Sequence, residues 1–283
     1  MSEMLQKTMQ IRHLSYAYMA KKHLPRRGVD AGEKCVLKDI SLSAESGELV
    51  SILGKNGAGK STLFKCILGI LSDYDGEILL DGSDTRKMTA RELSRKVAYI
   101  PQSRPQGFSY TALEMVLMGA ANRMRGWQSP NEAEETAAME ALRRVGICQL
   151  WNRSFATLSG GEQQLVMMAR AIMQDAGIFL MDEPLANMDY GNQIRMLQEM
   201  RELTENGYLI LQTIHNPDQA YEFSDRIIAM KDGSIFCDGR PQDVLDAALV
   251  RSLYGEDISW KHDKFFIADG TAPMTKSGKV TAR

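Results

Sequence analysis

The chain has 283 residues, 44% hydrophobic and 25% charged, which is the composition of an ordinary globular protein with one good-sized core in one or two domains. Its 34 basic and 36 acidic side chains give a net charge of -2, so no global field attracts nucleic acid, and we expect no nucleic-acid partner. No stretch approaches the roughly 18 apolar residues of a membrane span, and residues 1–10 lack the apolar core of a signal peptide, which predicts a protein that stays in the cytoplasm.

The N-terminal third alternates strand-forming runs with turns, and one apolar run leads directly into a glycine-rich segment that a helical pattern follows. The beginning of the chain is therefore predicted to be mixed α/β. The predicted strands are residues 9–16, 41–43, 48–53, 76–82 and 96–100, and the predicted helix covers about residues 60–70.

The pattern then becomes helical. Leu113, Val116 and Leu117 fall on one helical face, and a second run at residues 132–145 carries Glu and Arg on its exposed side. These runs predict a helical lobe that is inserted into the α/β part at about residues 103–165.

The C-terminal half returns to alternating helix and strand. A helix at residues 162–174 leads into a continuously apolar run at 177–181, which is typical of a strand buried on both faces of a parallel sheet. Residues 208–213 and 226–230 repeat this pattern. The alternation favours a parallel, right-handed α/β core.

Some features receive no assigned chemistry. Residues 21–34 are polar and basic, which most simply indicates a solvated loop, with a partner-binding segment as the alternative. Residues 269–283 are small and polar and are predicted to be disordered. The four cysteines are far apart and lack metal-ligand spacing, which favours reduced thiols over a disulfide framework.

Residues 54–61 read Gly-Lys-Asn-Gly-Ala-Gly-Lys-Ser, which fits the pattern of a phosphate-binding loop between a strand and a helix. Glycines let successive backbone N–H groups approach a phosphate at a helix N-terminus. The spacing predicts that Lys60 reaches the β- and γ-phosphates and that the Ser61 hydroxyl ligates Mg²⁺. The candidate nucleotide-binding residues of this segment are Gly54, Asn56, Gly57, Gly59, Lys60, Ser61 and Thr62.

Two acids, Asp182 and Glu183, follow the predicted buried strand at 178–181. Ligands of open α/β sheets bind at the carboxyl ends of strands, so the pair predicts an Asp182 that holds Mg²⁺ and a Glu183 that polarises water. A strand that simply ends in a solvated turn before Pro184 is the alternative.

Residues 158–164 read Leu-Ser-Gly-Gly-Glu-Gln-Gln. Together with the loop and the two acids, they make the chain resemble the ATP-binding-cassette (ABC) family over about residues 9–245, with the motifs in the family's order. The resemblance identifies residues 54–62 as the Walker A motif, 158–164 as the signature motif and 178–183 as the Walker B motif with its catalytic glutamate.

This resemblance implies ATP and Mg²⁺ as cofactors and an α/β P-loop NTPase fold. The fold would have a RecA-like core, an N-terminal antiparallel β-subdomain and an inserted α-helical subdomain. It implies a single ABC ATPase domain at residues 1–245 and a C-terminal extension at 246–283.

Further site residues follow from the same resemblance. Residues 99–102 resemble the Q-loop, which implies that Gln102 senses Mg²⁺ and the attacking water. Asp189 belongs to the D-loop, and His215 is implied to contact the γ-phosphate. Both Gln102 and His215 are therefore candidate catalytic residues beside Glu183 and Lys60.

Tyr18 stands where the family has the aromatic residue that stacks on adenine. Tyr16 is an alternative, because residues 21–34 look like an insertion that blurs this part of the alignment. Met188 replaces the leucine that is common in the D-loop, a conservative change.

The resemblance also implies a head-to-tail homodimer. In it, Ser159, Gly160 and Gly161 of one subunit close over the γ-phosphate held by Lys60 of the other. A hydroxyl and bare N–H groups at a helix start are good anion donors. Ser159 with Glu162 also fits a helix capping box, and the two interpretations are compatible.

The chain carries one set of motifs and a short helical lobe, which favours a separate importer ATPase over a soluble ABC ATPase of translation or DNA repair. Residues 108–118, 189–193 and 215–220 resemble the metal-chelate group, with iron-siderophore import as the first choice and haem, cobalamin or molybdate as alternatives. The part after Gly239 is too short for the extra β-domain of many sugar-importer ATPases.

The resemblance further implies two transmembrane permease subunits and an extracytoplasmic substrate-binding protein as partners. The implied location is the cytoplasmic face of the cell membrane, as a peripheral protein.

Overall fold

The part of the chain that the structure describes forms two β-sheets, one antiparallel and one almost wholly parallel. The structure is a computed structural model that describes residues 8–18, 34–102, 110–123, 129–186 and 188–255. The strands are β1 (Thr8–Tyr18), β2 (Lys34–Glu45), β3 (Leu49–Leu53), β4 (Asp75–Leu80), β5 (Ser83–Asp84), β6 (Val97–Ile100), β7 (Ile178–Asp182), β8 (Leu209–Ile214), β9 (Arg226–Lys231) and β10 (Ser234–Gly239). The helices are α1 (Lys60–Ile67), α2 (Ala90–Ser94), α3 (Ala112–Leu117), α4 (Glu132–Arg144), α5 (Gly160–Gln174), α6 (Tyr190–Glu205), α7 (Pro217–Phe223), α8 (Pro241–Val244) and α9 (Ala247–Tyr254).

The N-terminal strands form the antiparallel sheet, in the order β2-β1-β4-β5. Met9 pairs with Ala44 and Ile11 with Leu42, and all four side chains are buried. Side chains alternate between the two faces of a strand, so these pairs place one apolar face against the core. The predicted N-terminal antiparallel β-subdomain is confirmed.

The second sheet has the order β10-β9-β3-β8-β7-β6, and its strands from β9 to β6 are parallel. Strands β3, β7 and β8 are buried along their whole length, as the apolar runs at residues 177–181 and 208–213 predict for β7 and β8. The predicted parallel α/β core is therefore confirmed. Strand β10 was not predicted, because this antiparallel edge strand has only half-buried and exposed residues and no strong apolar pattern.

Helix α1 lies between the two sheets. Its side chains Leu63, Phe64 and Ile67 are fully buried in one cluster with Val50 of β3 and Ile78 of β4. Burial of such side chains contributes about 1.5–3 kcal/mol each. This packing fixes the start of α1, and thus the glycine loop before it, at the carboxyl edge of the parallel sheet.

The helical lobe consists of α3, α4 and the first part of α5, which pack against the other face of the sheet. Val116 is fully buried, while Leu113 and Leu117 are partly buried against the same core. Capping boxes begin all three helices, at Thr111, Asn131 and Ser159. The inserted helical subdomain is confirmed, and α5 begins two residues before its predicted start because Ser159 caps it.

The chain ends, as far as it is described, with α8 and α9. Leu249 and Leu253 of α9 are buried in a third cluster that also contains Leu53 and Ile214, the last residues of β3 and β8. The final fifteen residues, predicted to be disordered, lie outside the described residues, as does the predicted insertion except for Lys34. None of the helices in the described ranges combines the length and apolar character that crossing a membrane needs.

Candidate active site

The glycine loop joins β3 to α1 at the centre of the parallel sheet. Gly57 and Gly59 have φ values of 84° and 105°, which side chains with a Cβ rarely adopt. Gly59 is the N-cap of α1 and lacks a capping side chain. The free N–H groups at the helix start are therefore left for an anion, as the phosphate-loop prediction requires.

A cavity of about 350 Å³ opens beside this loop. It brings together predicted residues from four separate segments of the chain, the glycine loop and the ends of β6, β7 and β8. Val36 was not predicted as a site residue, but it also lines the cavity. The lining residues are Val36, Asn56, Gly57, Gly59, Lys60, Ser61, Thr62, Gln102, Glu183 and His215.

The order of the sheet explains this convergence. Strands β3, β8, β7 and β6 are parallel neighbours, so their carboxyl ends meet at one edge. Gln102 follows β6, Glu183 follows β7 and His215 follows β8. Three residues far apart in sequence thus surround one volume.

Lys60 is only 6% exposed at the floor of the cavity. Its Nζ donates to the carbonyl oxygens of Gly54 and Lys55, at 2.6 and 3.1 Å. Burial lowers the pKa of Lys60, and the carboxylates of Glu183 and Asp182 oppose this shift. The ammonium group therefore depends on nearby negative charge, which favours an anionic ligand beside it.

Asp182 is the last residue of β7 and is 6% exposed. The hydroxyl of Thr213, in the neighbouring strand β8, donates to its Oδ1 at 2.6 Å. The same hydroxyl oxygen accepts the backbone N–H of Glu183 at 2.9 Å. One buried hydroxyl therefore fixes the orientation of both acidic residues.

Sequence reasoning had given no role to Thr213. The available signal was a hydroxyl residue near the end of a mainly apolar strand, β8, which lies next to the strand that leads into the two acids. Which residue faces Asp182 depends on strand register, and the sequence alone did not provide that register.

Glu183 connects two of the other predicted residues. Gln102 donates from Nε2 to Glu183 Oε2 at 2.5 Å, and His215 Nε2 hydrogen-bonds Glu183 Oε1. Glu183 has a φ of 49°, a left-handed conformation that is uncommon for a residue other than Gly, Asn or Asp. Strained backbone that is held by surrounding contacts is typical of functional sites.

The signature residues Ser159, Gly160 and Gly161 do not line the cavity. Ser159 is the N-cap of α5: its Oγ accepts the N–H of Glu162 at 3.3 Å, and its own N–H donates to the Glu162 carboxylate at 2.7 Å. The capping-box interpretation is thus confirmed. These three residues therefore do not meet the glycine loop of their own chain at the cavity.

Asp189 also lies apart from the cavity and is the N-cap of α6. Asn192 Nδ2 donates to Asp189 Oδ2 at 2.6 Å. A Cβ on Gly161 would come within 2.7 Å of the same Nδ2 atom. Asn192, which sequence reasoning missed, therefore places the signature turn directly against the D-loop, and a side chain at Gly161 would displace it.

Tyr18 and Tyr16 contact each other edge to face, with ring centroids 5.0 Å apart. Tyr16 packs against the core, whereas Tyr18 is 39% exposed at the end of β1. Neither ring lines the cavity. The exposed ring of Tyr18 is the more accessible of the two for stacking, and its assignment stays a prediction.

Comparison with known proteins decides the family. The family model described as ABC transporter matches residues 37–186, more than half of the chain. The chain belongs to the ABC transporter family. It is therefore an ABC ATPase with a nucleotide-binding P-loop fold, as the resemblance implied.

Two curated relatives of this ABC ATPase are import proteins. The hemin import ATP-binding protein HmuV of Rhodococcus jostii is 34% identical over 81% of this chain and 78% of the relative. The petrobactin import ATP-binding protein FpuD of Bacillus anthracis is 30% identical over 88% of this chain and 92% of the relative.

Solved structures agree with the fold. A metal-chelate type ABC transporter in an inward-facing conformation superposes with a TM-score of 0.73 at 25% identity, covering 88% of this chain and 89% of that one. The dimeric ATP-binding cassette MJ0796, in a post-hydrolysis state with ADP and Pi, has a TM-score of 0.69 at 27% identity over 82% and 98% of the two chains.

Proposed function

We propose that this ABC ATPase powers the import of a metal chelate, with an iron-siderophore as the first choice and haem, cobalamin or molybdate as alternatives. The similarity to the hemin and petrobactin import proteins supports this assignment. So does the likeness to a metal-chelate type transporter.

The contact of Glu183 with both Gln102 and His215, at the cavity beside Lys60, carries the catalytic part of the proposal. Glu183 orients and polarises the attacking water, and His215 contacts the γ-phosphate. Lys60 binds the β- and γ-phosphates through its ammonium group. Catalysis then rests mainly on positioning and on charge neutralisation.

The loop glycines, with Asn56 and Thr62, surround the phosphates, and Tyr18 stacks on adenine. Ser61, Gln102 and Asp182 offer the hydroxyl, amide and carboxylate oxygens that Mg²⁺ prefers. When bound, Mg²⁺ would be held by these three side chains and would supply positive charge that offsets the charge of the phosphates. The fixed orientation of the buried Asp182 carboxylate supports its role as a ligand.

A second copy of the chain completes the site. The Ser159 hydroxyl and the helix-start N–H groups of Gly160 and Gly161 lie away from the cavity of their own chain. In a head-to-tail dimer they close over the γ-phosphate held by Lys60 of the other copy, with Asp189 of the D-loop at the same interface. The dimeric cassette that holds ADP and Pi supports this arrangement.

We further propose that the dimer works with two transmembrane permease subunits and an extracytoplasmic substrate-binding protein, at the cytoplasmic face of the membrane. Deleting the gene in the source organism should abolish uptake of one labelled substrate among ferric siderophore, haem, cobalamin and molybdate. Wild-type chain should restore the uptake, whereas the Glu183→Gln chain should not. Undiminished uptake of all of these substrates, with a translation or DNA-repair defect instead, would point to the soluble class of ABC ATPases.

Thr213→Val should weaken the metal site without removing a ligand. The valine leaves the Asp182 carboxylate and the Glu183 N–H without their hydroxyl partner, so the free energy of unfolding should fall by about 1–3 kcal/mol. The Mg²⁺ concentration for half-maximal ATPase activity should rise about 10-fold or more, as is usual when a residue that orients a metal ligand is lost.

Thr213→Ser is the matched control, because it keeps the hydroxyl and should keep the Mg²⁺ dependence. Magnesium titrations of ATPase activity at saturating ATP measure the effect. An unchanged titration curve for Thr213→Val would show that the hydroxyl does not position Asp182.

A further inference from the structure

Helix α9 lies in the segment that was predicted as a C-terminal extension, yet it packs in one cluster with the ends of strands β3 and β8, which lead into the candidate site. Its residues Leu249, Val250 and Leu253 are buried in one cluster with Leu53 and Ile214. Leu53 directly precedes the glycine loop, and Ile214 directly precedes His215. The helix therefore contacts the ends of the two strands that lead into the site.

Tyr254, at the end of α9, reaches the main chain of the site itself. Its hydroxyl donates to the carbonyl oxygen of His215 at 3.1 Å. Burial raises the pKa of Tyr254 to about 12, and the backbone N–H of Gly54 opposes this shift. The hydroxyl thus stays protonated and available as a donor at neutral pH.

His215 lies in a short connection between β8 and α7. Pairing between β8 and β3 ends at Ile214, and α7 begins at Pro217. Between them, Asn216 is occupied in capping α7, with its side chain accepting the N–H groups of Asp218 and Gln219. The main chain at His215 is thus held by the strand on one side, the cap on the other and Tyr254 at its carbonyl.

We propose that Tyr254 is a positioning residue for catalysis: by holding the His215 carbonyl, it sets where the imidazole meets Glu183. The proposal rests on the role proposed above for His215. A side chain that must meet a reacting group tolerates little displacement, because a misplacement of about 1 Å lowers the reaction rate strongly. Residues outside the motifs, at the C-terminal end of the described chain, thus contribute to the geometry of the site.

Tyr254→Phe tests this inference in the full-length chain, since the ring still packs and only the hydroxyl is lost. We expect kcat to fall about three- to ten-fold, which corresponds to the loss of one hydrogen bond. The KM for ATP and the affinity for nucleotide should stay near wild type, because the loop residues that bind the phosphates are unchanged. The melting temperature should change little.

Tyr208→Phe is the matched control. Tyr208 is another half-buried tyrosine whose hydroxyl bonds a side chain, that of Asp175, but it precedes β8 at the opposite edge of the sheet. It should keep wild-type kcat. An equal fall in kcat in both variants, or a fall in Tyr254→Phe that comes with a matching loss of thermal stability, would overturn the inference.

A double-mutant cycle with His215→Ala shows whether Tyr254 acts through the histidine. In the His215→Ala background, Tyr254→Phe should alter the residual single-turnover rate by less than about two-fold, because coupled residues are not additive. An undiminished, additive effect overturns the inference, as does wild-type kcat in Tyr254→Phe while His215→Ala is impaired. Wild-type kcat in His215→Ala itself would instead overturn the role proposed for His215.

Discussion

Glu183→Gln is expected to lower ATP turnover by about 10²- to 10⁴-fold, the range that a positioned general base contributes. Glutamine keeps the size and the hydrogen-bonding reach of glutamate but loses the negative charge with which we propose that Glu183 polarises water. The loop residues that bind phosphate are untouched, so ATP affinity should stay intact. The ATP-bound dimer should accumulate, because closure still occurs and hydrolysis no longer reopens it.

The local fold should survive this change. The backbone N–H at this position stays bonded to the Thr213 hydroxyl, and the new amide side chain can still reach Gln102 and His215. Steady-state ATPase activity, nucleotide titration and size-exclusion chromatography with ATP measure the three effects. Glu205→Gln, which removes an exposed carboxylate on α6, is the matched control and should behave as wild type. Near-normal ATPase activity in Glu183→Gln would contradict the assignment of Glu183.

Lys60→Ala should weaken the binding of ATP itself, and not only slow its hydrolysis. Removing one partner of a buried charged contact costs about 2 kcal/mol or more, so we expect ATP affinity to fall by at least about 30-fold. The carbonyl oxygens of Gly54 and Lys55 also lose the donor that Lys60 supplies, so the variant should be somewhat less stable as well. A fluorescent ATP analogue measures the affinity directly.

Lys65→Ala is the matched control, because it also removes one lysine from α1, but Lys65 is exposed to solvent. It should retain wild-type affinity. If Lys60→Ala binds the analogue as tightly as wild type, the role of Lys60 in phosphate binding is wrong.

Dimers mixed from two different inactive variants test whether Lys60 and the signature turn of one site come from different copies of the chain. A Lys60→Ala chain and a Gly160→Asp chain should each be inactive alone, the second because its carboxylate repels phosphate at the signature turn. When they are mixed, half of the dimers hold one intact composite site, so activity should return to about a quarter of wild type in a two-fold symmetric dimer. If mixing restores nothing, the two halves of the site do not come from different copies.

Much of the fold was predictable because its signals are local. The buried strands β3, β7 and β8 follow from short, mainly apolar runs of sequence, and the helical lobe follows from periodicity and from caps such as Ser159. Strand β10 and helices α8 and α9 were missed. Strand β10 lies at an edge and has no buried residue, and α8 and α9 are short helices of four and eight residues.

The candidate site, like the fold, combines features that were predictable from local sequence with contacts that were not. The sequence by itself determined the glycine loop, the two acids after β7 and the signature turn, because each is a contiguous segment whose chemistry depends on residue spacing. The tertiary structure decided which distant residues meet. Glu183 contacts His215 and Gln102 across 32 and 81 residues because parallel strands β6, β7 and β8 end side by side.

The positions of Thr213 beneath Asp182 and of Tyr254 against His215 likewise came only from the structure. Strand register and helix docking set these contacts, and both arise from the packing of the whole core rather than from any local pattern. The sequence therefore determined the chemistry that this ABC ATPase carries, and the tertiary structure decided which residues hold that chemistry in place.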